Sequence, residues 1–347
     1  MSRYDDVRDA LRDHATFSSA AGVGADDAAA RQAIGTLIAS DPPEHDKLRK
    51  VMMVPLSPSS VSKLREVIAR TADDVVERLV ERGTFEMVTD AAQALPLAVV
   101  SHLVGLPEEG RENMLRWAAA TFDVLGPAND RAAEARPHVM AMRAYAASVA
   151  KRGLVTPGGW ADRLLDLADA GEIEPERVPS LFRDFMAPSL DTTILATASL
   201  FWLLGEHPDQ WELLHDDLSL LRGAINEAVR IESPIRGFTR LASKDVTVDG
   251  SPIPAGARVL MLYASANRDE RKWDDPDRFD IRRRNADQLG FGFGVHSCAG
   301  MHLARLEMEC LMTAFLTRVR RFTVSSPQWA LNNTLRGLAS LQVSVEV

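Results

Sequence analysis

The chain has 347 residues, 46% of them hydrophobic and 26% charged, with 40 basic against 49 acidic side chains for a formal charge of −9. This is globular composition, long enough to bury a sizeable core in one large domain or two, and it excludes general disorder. The acidic balance speaks against a nucleic-acid binder. The lack of any run of 18 apolar residues, with an opening charged from Arg3 onward, speaks against a membrane span or secretory leader, so a cytoplasmic protein is expected.

Along the chain, the Ala-rich, Gly-containing segment 18–35 reads as mobile. In DPPEHDKLR (41–49), His45 and Arg49 fall four apart at a helix start and face one way. From Pro58 to about Gly205 the apolar residues recur every three to four positions, as in VSKLREVIARTADDVVERLVERG (61–83), so this part is mainly helix. Pro and Gly punctuate it at 105–107, 126–127, 157–159 and 207–208. Segment 181–207 predicts one long buried helix. Pro188 removes an N–H and clashes one turn back, opening that helix just before Asp191-Thr192. Glu227 and Arg230 are one turn apart on an apolar helix. Residues 239–261 alternate apolar and polar around Asp249-Gly250 and Ala255-Gly256, predicting short strands. Residues 269–297 lack periodicity, and an amphipathic helical pattern runs from 301 to 322.

The segment GFGFGVHSCAGMH (290–302) sets Cys298 among four glycines just before that last helix. Glycine lets a backbone approach a flat group closely, and a helix N-terminus favours a thiolate. Three readings compete: a buried structural cysteine, a zinc site with His296 and His302, and an axial haem thiolate. The other cysteine, Cys310, lies eight residues beyond His302, about 12 Å along one helix, too far to share a zinc ion.

FGFGVHSCAG (291–300) resembles the cysteine-ligand loop of the cytochrome P450 family, F-x-x-G-x-[HR]-x-C-x-G, through Phe291, Gly294, His296, Cys298 and Gly300. The resemblance implies a mainly α fold with a small β-rich region, the triangular helical fold of that family, in one domain over 1–347. Its parts would be helix-rich 1–235, a β and cysteine-loop region 236–300, and a terminal helix with closing hairpin 301–347. It implies haem b ligated by the Cys298 thiolate, with Phe291, Gly294 and Gly300 shaping the loop. Glu227 and Arg230 match the family's ExxR motif, and Arg278 in PDRF (276–279) matches its third partner. His45, Arg49, Arg240 and His296 match propionate-binding positions. Asp191 and Thr192 match the acid and alcohol that deliver protons for dioxygen reduction, with Pro188 and Ser189 standing where Ala or Gly and then Gly are usual.

The resemblance starts at Ser2, without the opening helix and first strands of the family, so an open sheet edge is expected. It further implies a monooxygenase acting on a small organic substrate by hydroxylation or O-demethylation, with a ferredoxin and ferredoxin reductase supplying electrons. Lys47, Arg49, Lys50, Arg282, Arg283, Arg284 and Arg305 would form the basic docking face. Segments 110–130 and 332–341 are similar to the branch that oxidises small aromatic acids and ethers. Candidate substrate contacts are Phe122, Leu125, Arg183, Leu190 and Ile235; Asp184 beside Arg183 and the Gln32 to Gly35 stretch favour a neutral phenolic or other small apolar substrate over an anionic benzoate. The alternatives are a peroxide-driven peroxygenase and a catalytically impaired haem-binding protein.

Overall fold

The computed structural model describes residues 1–108 and 110–347. Its scaffold is built from α1 (Tyr4–Arg12), α2 (Glu44–Leu56), α3 (Arg65–Arg82), α4 (Ala94–Val104), α5 (Met114–Val124) and α6 (Asp130–Val149). It continues through α7 (Val178–Met186), α8 (Asp191–Glu206), α9 (Leu221–Glu232) and α10 (Met301–Leu316), with shorter helices between. In α3 the predicted apolar spacing buries Ile68, Ala72, Val75, Val76 and Leu79. α8 is buried over nearly its whole circumference, as a helix apolar all round must be.

Among the described residues, eight strands form three small antiparallel sheets. β1 (Phe17–Ser18) pairs with β3 (Phe238–Ala242), which pairs with β6 (Arg258–Met261). β2 (Thr84–Glu86) pairs with β8 (Leu338–Glu346), which pairs with β7 (Arg321–Trp329). β4 (Val246–Val248) and β5 (Ser251–Ile253) form the tight hairpin expected at Asp249-Gly250. β6 is an edge strand with Leu260 exposed; its rim is met by Met1, whose ammonium donates to the Leu260 carbonyl at 2.7 Å while Leu262 N–H donates to Met1 O at 2.9 Å. The main core gathers around α8, α9 and α10, and a second cluster joins α1 to the β3–β6 sheet with Phe122, Leu125 and Leu195.

Three sequence expectations change. Segment 181–207 is two helices, because Pro188 leaves the ladder open over 187–190. Two hydroxyls satisfy carbonyls there: Ser189 Oγ donates to Phe185 O at 2.6 Å and Thr192 Oγ1 to Pro188 O at 2.8 Å. Residues 175–206 are apolar enough in aggregate to cross a membrane, but 72% of their most apolar window lies buried inside the fold. The 18–35 segment is packed down. Val23, Ala29, Ala30 and Ala33 are buried, Asp26 caps a short helix through Ala29 N at 2.9 Å, and Ala25 N–H donates to Leu125 O at 2.8 Å. The last helix stops at Leu316, and the remainder of its predicted pattern enters β7.

Candidate active site

The glycine-rich loop ends in a single 3₁₀ turn, Gly294–His296, ahead of α10. Cys298 N–H donates to Phe291 O at 2.7 Å and Ser297 N–H to Gly294 O at 3.1 Å, folding the loop back on itself. Gly294 has φ +69°, and a Cβ there would fall 2.5 Å from the Leu11 carbonyl oxygen, so α1 and the loop meet backbone to backbone. The Cys298 side chain is exposed and lines the cavity. Burial pushes its thiol up from the ordinary value, against the pull of the Gly300 and Met301 N–H groups, Arg49 and Arg305. Desolvation here works against the helix terminus, and a cation bound at the sulfur would favour the thiolate. The zinc alternative finds no support: among the described residues no group of three or more His, Cys, Asp or Glu side chains is placed to hold a metal ion.

Beneath the loop, Glu227 and Arg230 are fully buried and joined twice, Nε to Oε2 at 2.9 Å and an Nη to Oε1 at 2.8 Å. The third cation is Arg283, whose Nε donates to Glu227 Oε1 at 2.9 Å, and not Arg278 as the motif position implied. Arg278 points to solvent and contributes only its carbonyl, which accepts from Arg230 at 3.4 Å and from Arg283 at 3.2 Å. The chain turns after buried Phe279, returning Arg283 to the cluster. Asn285 adds a bond to Glu227 at 3.2 Å. Asn267 ties this region to the cysteine loop: its carbonyl accepts from Arg230 at 2.7 Å and its Oδ1 accepts from Leu289 N at 2.7 Å.

Arg49, Arg240 and His296 line one rim of the cavity, and His45, which is not on its wall, packs against His296 from behind. The His45 and His296 rings are 4.5 Å apart, and Nε2 of each is buried without a partner. Burial, Arg240, His45 and Arg49 together push His296 down to about 3. Arg240 is buried, donating to Thr239 O at 2.8 Å, and burial lowers Arg49 as well. Two orphaned imidazole nitrogens and two desolvated guanidiniums lie beside a cavity floored by Gly290, Phe291, Gly292, Ala299 and Gly300, with the Cys298 side chain open to it. That arrangement fits a flat apolar macrocycle carrying carboxylates at one edge.

On the opposite side the opened turn presents Ala187, Pro188, Ser189, Thr192, Thr193 and Ala196 to the cavity. Thr192 meets it, while its hydroxyl donates back to Pro188 O. Asp191 is not on the cavity wall; burial, and secondarily Asp123, push its carboxyl up to about 7. Phe122, Leu125, Arg183 and Ile235 line the cavity as expected. Leu190 does not. It is fully buried in the main core, because the residue that ends the opened turn rotates inward and leaves Pro188 and Ser189 facing the cavity.

Two charged side chains lining the cavity escaped the sequence reading. Glu307 is buried, has an unpartnered Oε2, and is pushed up by burial to about 8. Its signal was present: four residues after Leu303 and four before Leu311, it is a carboxyl on the apolar face of α10. Arg143 left no signal, lying on the weakly patterned α6. Its Nη2 donates to Gln32 O at 2.8 Å, and its Nε is buried without a partner. Of the seven residues expected on the basic face, Arg283 is held by Glu227, Arg305 is buried against Asn226 at 2.7 Å, and Arg49 lines the cavity. Lys47, Lys50, Arg282 and Arg284 remain exposed, with Arg222 beside Arg305.

Residues 162–344 match the family profile described as Cytochrome P450. The chain is 39% identical over 350 residues to cytochrome P450 CYP199A2 of Rhodopseudomonas palustris, covering 99% of this chain and 85% of that protein. It is 30% identical over 351 residues to the beta-dihydromenaquinone-9 omega-hydroxylase of Mycobacterium tuberculosis, covering 99% and 71%. The crystal structure of cytochrome P450 CREJ in complex with (4-ethylphenyl) dihydrogen phosphate superposes with a TM-score of 0.88 at 26% identity, covering 100% of this chain and 91% of that one.

Proposed function

The chain belongs to the cytochrome P450 family, a haem-thiolate monooxygenase family, and from that premise we propose that it oxidises a small organic acid of aromatic type, with Cys298 as the haem ligand. Haem b bound through the thiolate supplies dioxygen activation. Glu227, Arg230 and Arg283 brace the loop that presents Cys298. His45, Arg49, Arg240 and His296 receive the propionates. Asp191 and Thr192 hold and pass protons at the opened turn. Electrons come from a ferredoxin and its reductase in the cytoplasm, docking on the patch of Lys47, Lys50, Arg222, Arg282 and Arg284.

The observation that carries the substrate reading is the pair Arg143 and Arg183 at the cavity wall. Burial, then Arg143, lowers Arg183. Two cations therefore share one desolvated space. Their nearest carboxyl, Asp184, is pushed by burial to about 7 although Leu37 N–H donates to its Oδ2 at 2.9 Å. The acid that argued for a neutral substrate in the sequence is already engaged by a backbone donor, and burial works against its charge, which favours an anionic group beside the two cations. Phe122, Leu125, Val139, Met142, Ile235 and Phe238 supply apolar walls for a ring. The CREJ complex holds an aryl phosphate, an aromatic anion of the same charge type. Spin-state titration with a para-alkoxybenzoate and the matching phenol tests this. The acid should bind at least about tenfold tighter, and Arg183→Ala should erase the preference. Equal affinities in the wild-type protein would refute it.

A further inference from the structure

Outside the cavity that Cys298 lines, a second cleft of about 230 Å³ lies between segment 26–32 and the turn that carries α5 into α6. Its two walls are tied together. Asp26 Oδ1 accepts from Ala29 N at 2.9 Å and its Oδ2 from Ala128 N at 3.3 Å, and Ala25 N–H donates to Leu125 O at 2.8 Å. Asn129 caps the start of α6 through Ala132 N at 2.9 Å, which fixes the far wall. The cleft is therefore built before any ligand arrives, and the alanines of both walls leave it open.

Arg31 stands on one wall and Arg136, one helical turn after Ala132, on the other. Both are exposed, and neither guanidinium has a hydrogen-bond or ion-pair partner among the described residues. By contrast, Arg131 Nη1 of α6 donates to Asn333 Oδ1 at 3.3 Å, and Arg258, which reaches segment 26–32, donates from Nη2 to Asp27 Oδ1 at 2.9 Å. Among the described residues the lining holds one carboxylate, Asp26, and both its oxygens are taken by backbone N–H groups. Two unpaired cations thus face one engaged anion, the charge pattern of a site for a small carboxylate.

Gln32 and Val124 line this cleft and the inner cavity alike, so the two spaces share a partition. Gln32 is held in it from the inner side: Arg143 Nη2 donates to Gln32 O at 2.8 Å and to its Oε1 at 3.2 Å. We propose that the cleft is an outer station for the carboxylate of the aromatic acid, held by Arg31 and Arg136 before it passes Gln32 and Val124 to Arg143 and Arg183. The inference rests on the anionic substrate reading above. A carboxylate arriving at Arg143 offers a charge-assisted bond in place of the two neutral oxygens of Gln32, so the cation that receives the anion also releases the partition. No bond of the substrate changes in the passage.

The test compares the haem-loaded wild-type protein with Arg31→Ala, Arg136→Ala and the double variant, whose exposed, unpartnered side chains can be removed without loss of folding. Stopped-flow spin-shift kinetics follow entry of a para-alkoxybenzoate and of the matching phenol. In the double variant the acid should enter at least about fivefold more slowly at low salt and leave more slowly by the same factor, so its equilibrium affinity stays within about twofold. The phenol rates should not change, and about 1 M salt should erase the difference for the acid. The second readout is arginine side-chain NMR of the reduced, carbon monoxide-bound Arg183→Ala protein titrated with the benzoate, where removing Arg31 or Arg136 identifies its signal. Both signals should shift saturably, and chloride at equal ionic strength should not reproduce the shift. This readout needs no acid preference in the inner cavity, so failure of the substrate reading leaves it intact. Unchanged acid rates in the double variant, a loss of affinity without slower entry, or the absence of a saturable shift would overturn the proposal.

Discussion

Replacing Arg283 with alanine isolates the member of the buried cluster that sequence position misassigned. Glu227 is fully buried and its Oε1 is shared by Arg230 at 2.8 Å and Arg283 at 2.9 Å. Arg283 also donates to Asp274 O at 2.6 Å, Asp275 O at 3.0 Å and Arg278 O at 3.2 Å, closing the loop that precedes the cysteine segment. Its removal leaves a desolvated carboxylate with one guanidinium where it had two, takes the side-chain donor from the Asp274 carbonyl, and leaves the Asp275 and Arg278 carbonyls with one donor each. Removing one partner from such a buried ion pair costs about 3–5 kcal/mol, two to four decades in the folding equilibrium. Arg278→Ala keeps the only atom Arg278 contributes, its carbonyl, and should stay within about 0.5 kcal/mol of the parent. Urea unfolding of the haem-loaded proteins, followed by tryptophan fluorescence and haem absorbance, measures both. A larger loss in Arg278→Ala than in Arg283→Ala would refute the assignment. Arg283→Lys should fall between, because an ammonium holds the charge without the planar fork.

Two further outcomes follow from the geometry of α10 and the loop before it. Glu307 titrates near 8 when folded against an ordinary 4.5, so its contribution to stability is complete below pH 4.5 and is lost as pH rises toward 8. Unfolding free energies from urea at pH 6 and 8.5 should therefore differ more in the wild-type protein than in Glu307→Gln, by about 2.5 kcal/mol, and parallel behaviour would contradict the burial argument. Gly294→Ala places a Cβ against the Leu11 carbonyl at φ +69°, with about 1–2 kcal/mol of backbone strain before any overlap. The ratio of haem to protein absorbance in the purified variant should fall; an unchanged ratio would show that the loop tolerates the displacement.

What could be read in the sequence and what could not divide along the distance over which each signal acts. Spacing within one element was legible: the apolar stripe of α3, the Asp249-Gly250 turn, the Glu227–Arg230 step and the loop from Phe291 to Gly300 all follow from neighbours a few residues apart. The opened turn at Pro188 was legible in kind, since a missing N–H must interrupt the ladder, but not in extent; the Ser189 and Thr192 hydroxyls that accommodate a full break depend on where the two helices pack. Arg278 and Arg283 show the limit most clearly. Both lie in one irregular stretch rich in charge, and only the path of the chain after Phe279 decides which guanidinium turns inward. Leu190 failed as a cavity residue for the same reason. Asp184 was visible, but its Leu37 N–H partner and the burial that pushes its carboxyl up come from the tertiary fold and could not be read from its charge.

The central claim is that the Cys298 sulfur binds haem iron. The most direct measurement is the carbon monoxide difference spectrum of the reduced, haem-loaded protein and of Cys298→Ser prepared alongside it. The wild-type protein should give the long-wavelength Soret band of thiolate-ligated haem, and Cys298→Ser should lose it while Cys310→Ser keeps it. A band at the position of histidine-ligated haem in the wild type, or one that survives in Cys298→Ser, would contradict the account.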